Sequence, residues 1–219
     1  LNLKTEDNVL EIGPGDGALT NQIVKKVNTF HGVEIDPYLI NHLNKKEYHN
    51  AIFYEADILK WDFNILPKNI AIIGNLPYNI SSPILFQLLK IKNWQKMVLM
   101  FQKEVAQRII SPHNIKSYGR LSIMCQTYCN VNIKFMVSRN VFEPKPKVDS
   151  AVVIFKRKTE DLPEIQQFSI FIKKAFSQRR KKLKNNLPNA YEKGLLEKWS
   201  DLRPEELTPK NYLQLFSRI

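Results

Sequence analysis

The run Ile70-Ala71-Ile72-Ile73-Gly74-Asn75-Leu76-Pro77-Tyr78, continued by Asn79-Ile80-Ser81-Ser82-Pro83, decides how this chain is read. A nearly unbroken apolar strand passes into a turn stiffened by Pro77, and serines then open a segment with helical spacing. The turn therefore lies at the carboxyl end of a buried strand, the edge at which open α/β sheets bind ligands. Its residue types suit one chemistry. The amine on a base ring is a poor nucleophile because its lone pair is delocalised into the ring. The Asn75 side-chain oxygen and a nearby backbone carbonyl, both accepting from that amine, hold it with the lone pair aimed at an electrophile. Tyr78 offers a face on which a flat ring stacks. The same four residues would also make an ordinary strand-to-helix turn.

Upstream, Asn8 to Ile12 reads as a strand entering Gly13-Pro14-Gly15-Asp16-Gly17, followed by a helical pattern through Leu19, Ile23, Val24 and Val27. Strand, glycine loop and helix begin a nucleotide-binding unit, but the third glycine comes one residue early for the dinucleotide fingerprint. Glu11 and Asp16 also put carboxylates where a pyrophosphate needs a welcoming helix end. An acidic loop suits a phosphate-free cofactor with positive charge, such as S-adenosylmethionine. A second strand, Thr29 to Ile35, carries Glu34 at the distance where ribose hydroxyls are gripped. A third, Ala51 to Glu55, ends in Ala56-Asp57, and an acceptor there suits an adenine amine. Each acid alone equally makes a helix cap or a solvated turn.

Downstream, the spacing predicts a helix over Ser82 to Ile91, a strand over Lys96 to Gln102, helices over Lys103 to Ile110 and Leu121 to Tyr128, and strands over Val131 to Val137 and Ala151 to Lys156. The last two are joined by the Pro-rich stretch Phe142-Glu143-Pro144-Lys145-Pro146-Lys147-Val148-Asp149-Ser150 with no intervening helix, which implies an antiparallel hairpin ending a parallel sheet. Phe142, held by the prolines, either stacks on an extruded base or anchors the loop in the core. After a polar linker at Thr159 to Pro163 the pattern is helical throughout: Ile165 to Phe176, a basic stretch to Leu187, Tyr191 to Trp199, and Pro204 to Phe216.

The 219 residues suffice for one main domain and a small appendage, and the net charge of +12 favours a polyanionic partner. The excess concentrates in the last third. Lys173, Lys174, Arg179, Arg180, Lys181, Lys182 and Lys184 fall in one run without an acid, either a solvated helix face or a phosphate-binding surface. No apolar run approaches a membrane span and the first residues are not signal-like, so a cytoplasmic protein without a membrane partner is expected. Cys125 and Cys129 with four scattered histidines give no metal-ligand spacing, so they read as buried thiols and no metal is expected. The chain opens at Leu1, within ten residues of its first strand, so an upstream segment is expected to have been removed or left out.

Taken in order, Glu11-Ile12-Gly13-Pro14-Gly15-Asp16-Gly17, Gly32-Val33-Glu34-Ile35-Asp36, Asn75-Leu76-Pro77-Tyr78-Asn79-Ile80-Ser81, Phe142 through Val153, and Arg179-Arg180-Lys181-Lys182-Leu183 closely resemble the motifs of the small-subunit ribosomal RNA adenine dimethyltransferases. The resemblance implies a Rossmann-like class I methyltransferase: a seven-stranded, mostly parallel α/β sheet with an antiparallel terminal hairpin over residues 1–158, and a small all-α RNA-binding domain over 159–219. It implies S-adenosylmethionine as donor, no metal, and a monomer that dimethylates two adjacent adenosines in the 3′-terminal hairpin of 16S rRNA within the small ribosomal subunit. By it, Gly13, Glu34, Asp57 and Asn75 contact the cofactor, with Gly15 and Ile58 completing the set. Asn75, Leu76, Pro77, Tyr78 and Phe142 form the catalytic pocket, and the seven basic residues from Lys173 to Lys184 hold RNA. The family's Gly-Gln-Asn-Phe-Leu type segment, which closes over the cofactor, lies ahead of where this sequence starts. The alternatives are the related erythromycin-resistance methylases of 23S rRNA, and a ribosome-assembly or transcription factor that keeps the fold and works by docking.

Overall fold

The computed structural model describes residues 2–219. The chain falls into two compact units, Leu1–Lys103 with Asn132–Arg157, and Glu104–Val131 with Lys158–Ile219. The junction after Arg157 lies one residue from the domain boundary expected at 158, whereas Glu104–Val131, read from sequence as part of the first domain, clusters with the C-terminal segment.

The strands are β1 (Asn8–Ile12), β2 (Thr29–Glu34), β3 (Ala51–Glu55), β4 (Ile70–Asn75), β5 (Trp94–Gln102), β6 (Cys129–Val137) and β7 (Ser150–Arg157). They form one seven-stranded sheet in the order β3-β2-β1-β4-β5-β7-β6. β1 to β5 pair in parallel, and β7 runs antiparallel against β5 from Gln102↔Ser150 to Lys96↔Lys156. The hairpin partners β6 and β7 thus close the sheet at one edge. The registers Ile12↔Val33, Ile12↔Gly74 and Glu34↔Glu55 bring the first four strands to a common carboxyl edge. The order reverses between β1 and β4, which makes that edge a topological switch point. Gly74 is needed at this junction, since a Cβ there would lie 3.0 Å from the Ile12 carbonyl oxygen and 3.1 Å from Leu76.

One face of the sheet packs Val9, Phe30 and Ile73 against Ile23, Val24 and Val27. The expected helix through Val27 is shorter than its apolar spacing suggests: α1 covers Thr20–Ile23 and a tighter turn follows at Val24–Lys26. The Asn50 side-chain amide donates to the Val24 and Val27 carbonyls at 2.8 and 2.9 Å, capturing acceptors that a continuing helix would use. α2 (Pro37–Asn44) starts with Asp36 accepting the Tyr38 N–H at 2.8 Å, and α3 is Ser81–Lys90. α4 (Lys103–Ile110) follows β5 directly.

In the second unit α5 (Arg120–Tyr128), α6 (Ile165–Ala175), α7 (Leu183–Asn186), α8 (Pro188–Glu192) and α9 (Pro209–Phe216) surround Tyr118, Phe168, Ile172 and Tyr212, all fully buried. Tyr118 donates to the Leu207 carbonyl at 2.8 Å and Tyr212 to that of Pro204 at 2.7 Å, which satisfies both hydroxyls. Both cysteines are buried free thiols, and burial pushes the Cys125 thiol well up. The basic stretch is not the continuous helix expected. Turns occupy 176–180 and a bend follows at 181, because the buried Asn186 amide donates to the Ala175 and Gln178 carbonyls at 2.8 and 3.1 Å and folds the chain back. Pro188, Gly194 and Pro204 then keep the remaining helices short. No helix among the described residues is long and apolar enough to cross a membrane.

Candidate active site

Gly13 and Gly15 take φ of 65° and 59°, a left-handed conformation that glycine adopts without strain, and so turn the chain sharply out of β1. The Gly13 N–H donates to the Val33 carbonyl at 2.9 Å, and a Cβ on Gly13 would sit 4.0 Å from the Asn75 carbonyl oxygen. The glycine loop and the end of β4 are therefore close neighbours at the switch point, where reversal of the strand order opens a crevice. Glu34, half-buried at the end of β2, accepts the Gly15 N–H on Oε2 at 3.2 Å and the Ile35 and Asp36 N–H groups on Oε1 at 2.9 and 3.2 Å. Its carboxylate is thereby fixed in place with acceptor capacity left on Oε2. The Ala56 N–H donates to the Glu34 carbonyl at 2.9 Å, which sets Asp57 beside it. Asp57 is half-buried, with Oδ1 accepting the Leu59 N–H at 2.9 Å, and Ile58 is buried at 8% exposure. Gly13, Gly15, Glu34, Asp57, Ile58 and Asn75 are thus gathered at one sheet edge.

The fit of this edge to S-adenosylmethionine rests on its donor set. Carboxylates predominate: Glu34 ends β2 and Asp57 follows β3, while Lys46, the cation recorded at the loop, donates from Nζ to the Asp16 carbonyl at 2.6 Å. Ile35, 67% exposed between Glu34 and Asp36, is an apolar surface the sequence did not single out, since an isoleucine ending a strand looks like core. Glu11, read from sequence with Asp16 as a carboxylate of an acidic loop, is instead withdrawn into the interior. It is 3% exposed and accepts the Thr20 hydroxyl at 2.5 Å, and burial raises its carboxyl from 4.5 to about 7, with the Thr20 bond acting in the opposite direction.

Asn75, Leu76, Pro77 and Tyr78 line a cavity of about 300 Å³ together with Phe142, Glu143, Pro144 and Pro146. The turn and the Pro-rich loop, 67 positions apart from Asn75 to Phe142, come together there. Asn75 is exposed, and among the described residues its side-chain amide makes no hydrogen bond. Leu76 is buried at 1% exposure and anchors the turn. Tyr78 is half-buried, its carbonyl accepts the Ser81 hydroxyl at 3.2 Å, and its own hydroxyl lies 2.6 Å from that of Ser150. Phe142 is half-buried and lines the cavity rather than sitting wholly in the core. Asn75 also borders a cavity of about 550 Å³ with Leu19, Ile73, Val98, Phe135 and Val152.

The basic run departs from the unopposed charge read in the sequence. Lys182 and Lys184 both reach Asp201 at 2.9 and 3.0 Å, and Arg179 lies 3.7 Å from Glu205. Both acids come from later in the chain and are invisible within the run itself. Lys173, Lys174, Arg180 and Lys181 are exposed and carry no ion pair among the described residues. No group of three or more His, Cys, Asp or Glu side chains among the described residues is arranged to hold a metal.

A seven-stranded sheet reversing between β1 and β4, with a glycine loop, two acidic strand ends and an Asn-Leu-Pro-Tyr turn at that reversal, defines a Rossmann-like methyltransferase. The chain belongs to the ribosomal RNA adenine dimethylase family, whose profile matches residues 1–219. The Ribosomal RNA small subunit methyltransferase A of Malacoplasma penetrans is 39% identical over 225 residues, spanning 98% of this chain and 82% of that protein. A dimethyladenosine transferase from Plasmodium falciparum superposes with a TM-score of 0.86 at 29% identity, covering 97% of this chain and 90% of the other. The 23S rRNA methyltransferase ErmE superposes at 0.76 with 26% identity, covering 99% and 92%.

Proposed function

We propose that this chain is an S-adenosylmethionine-dependent rRNA adenine-N6,N6-dimethyltransferase that acts in the cytoplasm, as a monomer, on two adjacent adenosines in the 3′-terminal hairpin of 16S rRNA within the small ribosomal subunit. The observation that carries the site assignment is the meeting of Asn75–Tyr78 with Phe142 around one cavity beside the glycine-loop crevice. When bound, S-adenosylmethionine supplies an electrophilic methyl group. Glu34 accepts from ribose hydroxyls, Asp57 from the adenine amine of the cofactor, Ile58 packs on that ring, and the bare backbone at Gly13 and Gly15 allows close approach.

The target adenosine is splayed from its stack, which costs least in a loop, and lies between Tyr78 and Phe142. The Asn75 side-chain oxygen and the Leu76 carbonyl accept from its amine and direct the lone pair toward the crevice. The new nitrogen–carbon bond would form as the methyl's bond to sulfur breaks, leaving a neutral thioether; no strong base is needed, because the amine becomes acidic only as that bond forms and then sheds its proton to water. Preorganised acceptors therefore carry the rate. Lys173, Lys174, Arg180 and Lys181 contact phosphates and set affinity and register rather than base choice.

The test is transfer of labelled methyl from S-adenosylmethionine to unmethylated small subunits, with large subunits in parallel and the product mapped by primer extension. Dimethylation of adjacent adenosines in the small-subunit hairpin is expected. Label on large-subunit RNA would move the chain to the 23S methylases, and binding to small subunits without transfer would make it a docking factor.

A further inference from the structure

Two consecutive residues, Asp149 and Ser150, hold both walls of the Tyr78–Phe142 cavity. Ser150 opens β7, has no exposed surface, and places its hydroxyl 2.6 Å from that of Tyr78. Asp149 accepts the Arg139 N–H on Oδ1 at 3.1 Å, and Arg139 begins the single turn, Arg139–Val141, that delivers Phe142. Arg139 also donates from Nη1 to the Lys147 carbonyl at 3.0 Å, tying off the far side of the same loop. The pair is itself anchored. The Asp149 carbonyl accepts the Lys103 N–H at 2.9 Å, and Ser150 is in register with Gln102 on β5.

These contacts add something that the local backbone does not already have. The Ile80 N–H bonds the Pro77 carbonyl at 3.1 Å, and the Ser81 hydroxyl bonds the Tyr78 carbonyl, so the turn holds its shape without Ser150. What the Ser150 hydroxyl fixes is the direction of the Tyr78 ring. What Asp149 fixes is the approach of Phe142. We infer that Asp149 and Ser150 are positioning residues that set the tilt and separation of the two rings, so that a planar purine enters with its amine at Asn75. This rests on the dimethyltransferase function proposed above. Methyl transfer in line is sensitive to such placement, because misplacement of a reacting atom by an ångström costs on the order of a hundredfold in rate.

The experiment compares wild type with Ser150→Ala, Ser150→Thr, Tyr78→Phe and the double variant Tyr78→Phe/Ser150→Ala. Three readouts are taken: single-turnover methyl transfer to unmethylated small subunits, S-adenosylmethionine affinity by calorimetry, and fluorescence of a hairpin RNA carrying 2-aminopurine at the target position. Ser150→Ala is expected to slow transfer about tenfold, as loss of one orienting hydrogen bond implies, and to change the 2-aminopurine signal while cofactor affinity stays within about twofold. Ser150→Thr, which keeps the hydroxyl, restores both. The double variant is no slower than the slower single variant, because both changes remove the same bond. Asp149→Ala slows transfer likewise, and Asp149→Asn, which keeps an acceptor for Arg139, recovers most of it. Wild-type rates in Ser150→Ala, multiplying effects in the double variant, or a parallel loss of cofactor affinity overturn the positioning role. A wild-type protein that binds cofactor and transfers no methyl overturns the dimethyltransferase function itself, and the positioning role with it.

Discussion

Thr20 donates its hydroxyl to Glu11 Oε2 at 2.5 Å across the base of the glycine loop, at a site where Glu11 is only 3% exposed. Burial disfavours the carboxylate more than this bond favours it, so the carboxyl rises from 4.5 to about 7. The folded state thus holds a proton that the unfolded chain releases at lower pH. Stability from this residue is fully present below about pH 4.5 and is lost as pH climbs through 7. Glu11→Gln keeps an acceptor for Thr20 and cannot titrate. Denaturant unfolding is expected to find the two proteins alike near pH 4 and the variant more stable by about 3 kcal/mol at pH 8.

Asn75 is exposed and its amide is unengaged among the described residues, so its replacement leaves the fold intact. Asn75→Ala is expected to retain wild-type unfolding while methyl transfer falls by roughly a hundred- to a thousandfold, the usual effect of removing one preorganised group at the reacting centre. Cofactor affinity should change by less than about tenfold, since one contact among several is lost. Single-turnover rates set beside calorimetric affinities check this. Equal losses in both would leave Asn75 as a cofactor ligand with no hold on the target amine.

The strands were legible because buried parallel strands read as β-branched runs between turn residues. Asn8–Ile12 and Ala51–Glu55 have the bounds their apolar patterns imply. The gathering of Gly13, Glu34, Asp57 and Asn75 at one edge was legible for a related reason: each ends a strand or follows one within two residues, and parallel strands share a carboxyl edge. Contacts between residues distant in sequence were not legible. Asn50 stopping α1, Asn186 breaking the basic stretch, and Asp201 and Glu205 opposing its charges all act from outside the segment they control. The alternatives for Phe142 were undecidable from sequence because its surroundings depend on the turn Asn75–Tyr78, far earlier in the chain; half-buried, it lines one cavity with Tyr78.

Asn186 ties α7 to the stretch 175–178 through one side chain, donating to Ala175 and Gln178 and accepting the Ser177 hydroxyl at 3.2 Å. Asn186→Ala leaves two carbonyls and a hydroxyl without that partner. A loss of about 2–3 kcal/mol in unfolding free energy is expected, with hydrogen-exchange protection lost first at residues 176–184. Protection unchanged there would mean that the turn is held by the neighbouring backbone bonds alone.

The seven basic residues divide by their partners, and the division predicts different effects on RNA binding. Lys182 and Lys184 share the single carboxylate of Asp201, so replacing both with Met removes two cations of which one is already offset. The slope of log Kd against log salt for a small-subunit hairpin should then fall by no more than about 1. Lys173, Lys174, Arg180 and Lys181 have no such partner among the described residues, and replacing all four with Ala removes cations from an exposed surface. That variant is expected to lower the salt slope by about 3, given roughly 0.7–0.9 of a counterion released per phosphate contact, while cofactor binding stays as in wild type. If the two variants shift the slope equally, the ion pairs with Asp201 open on binding, and all seven residues act as one phosphate-contacting surface.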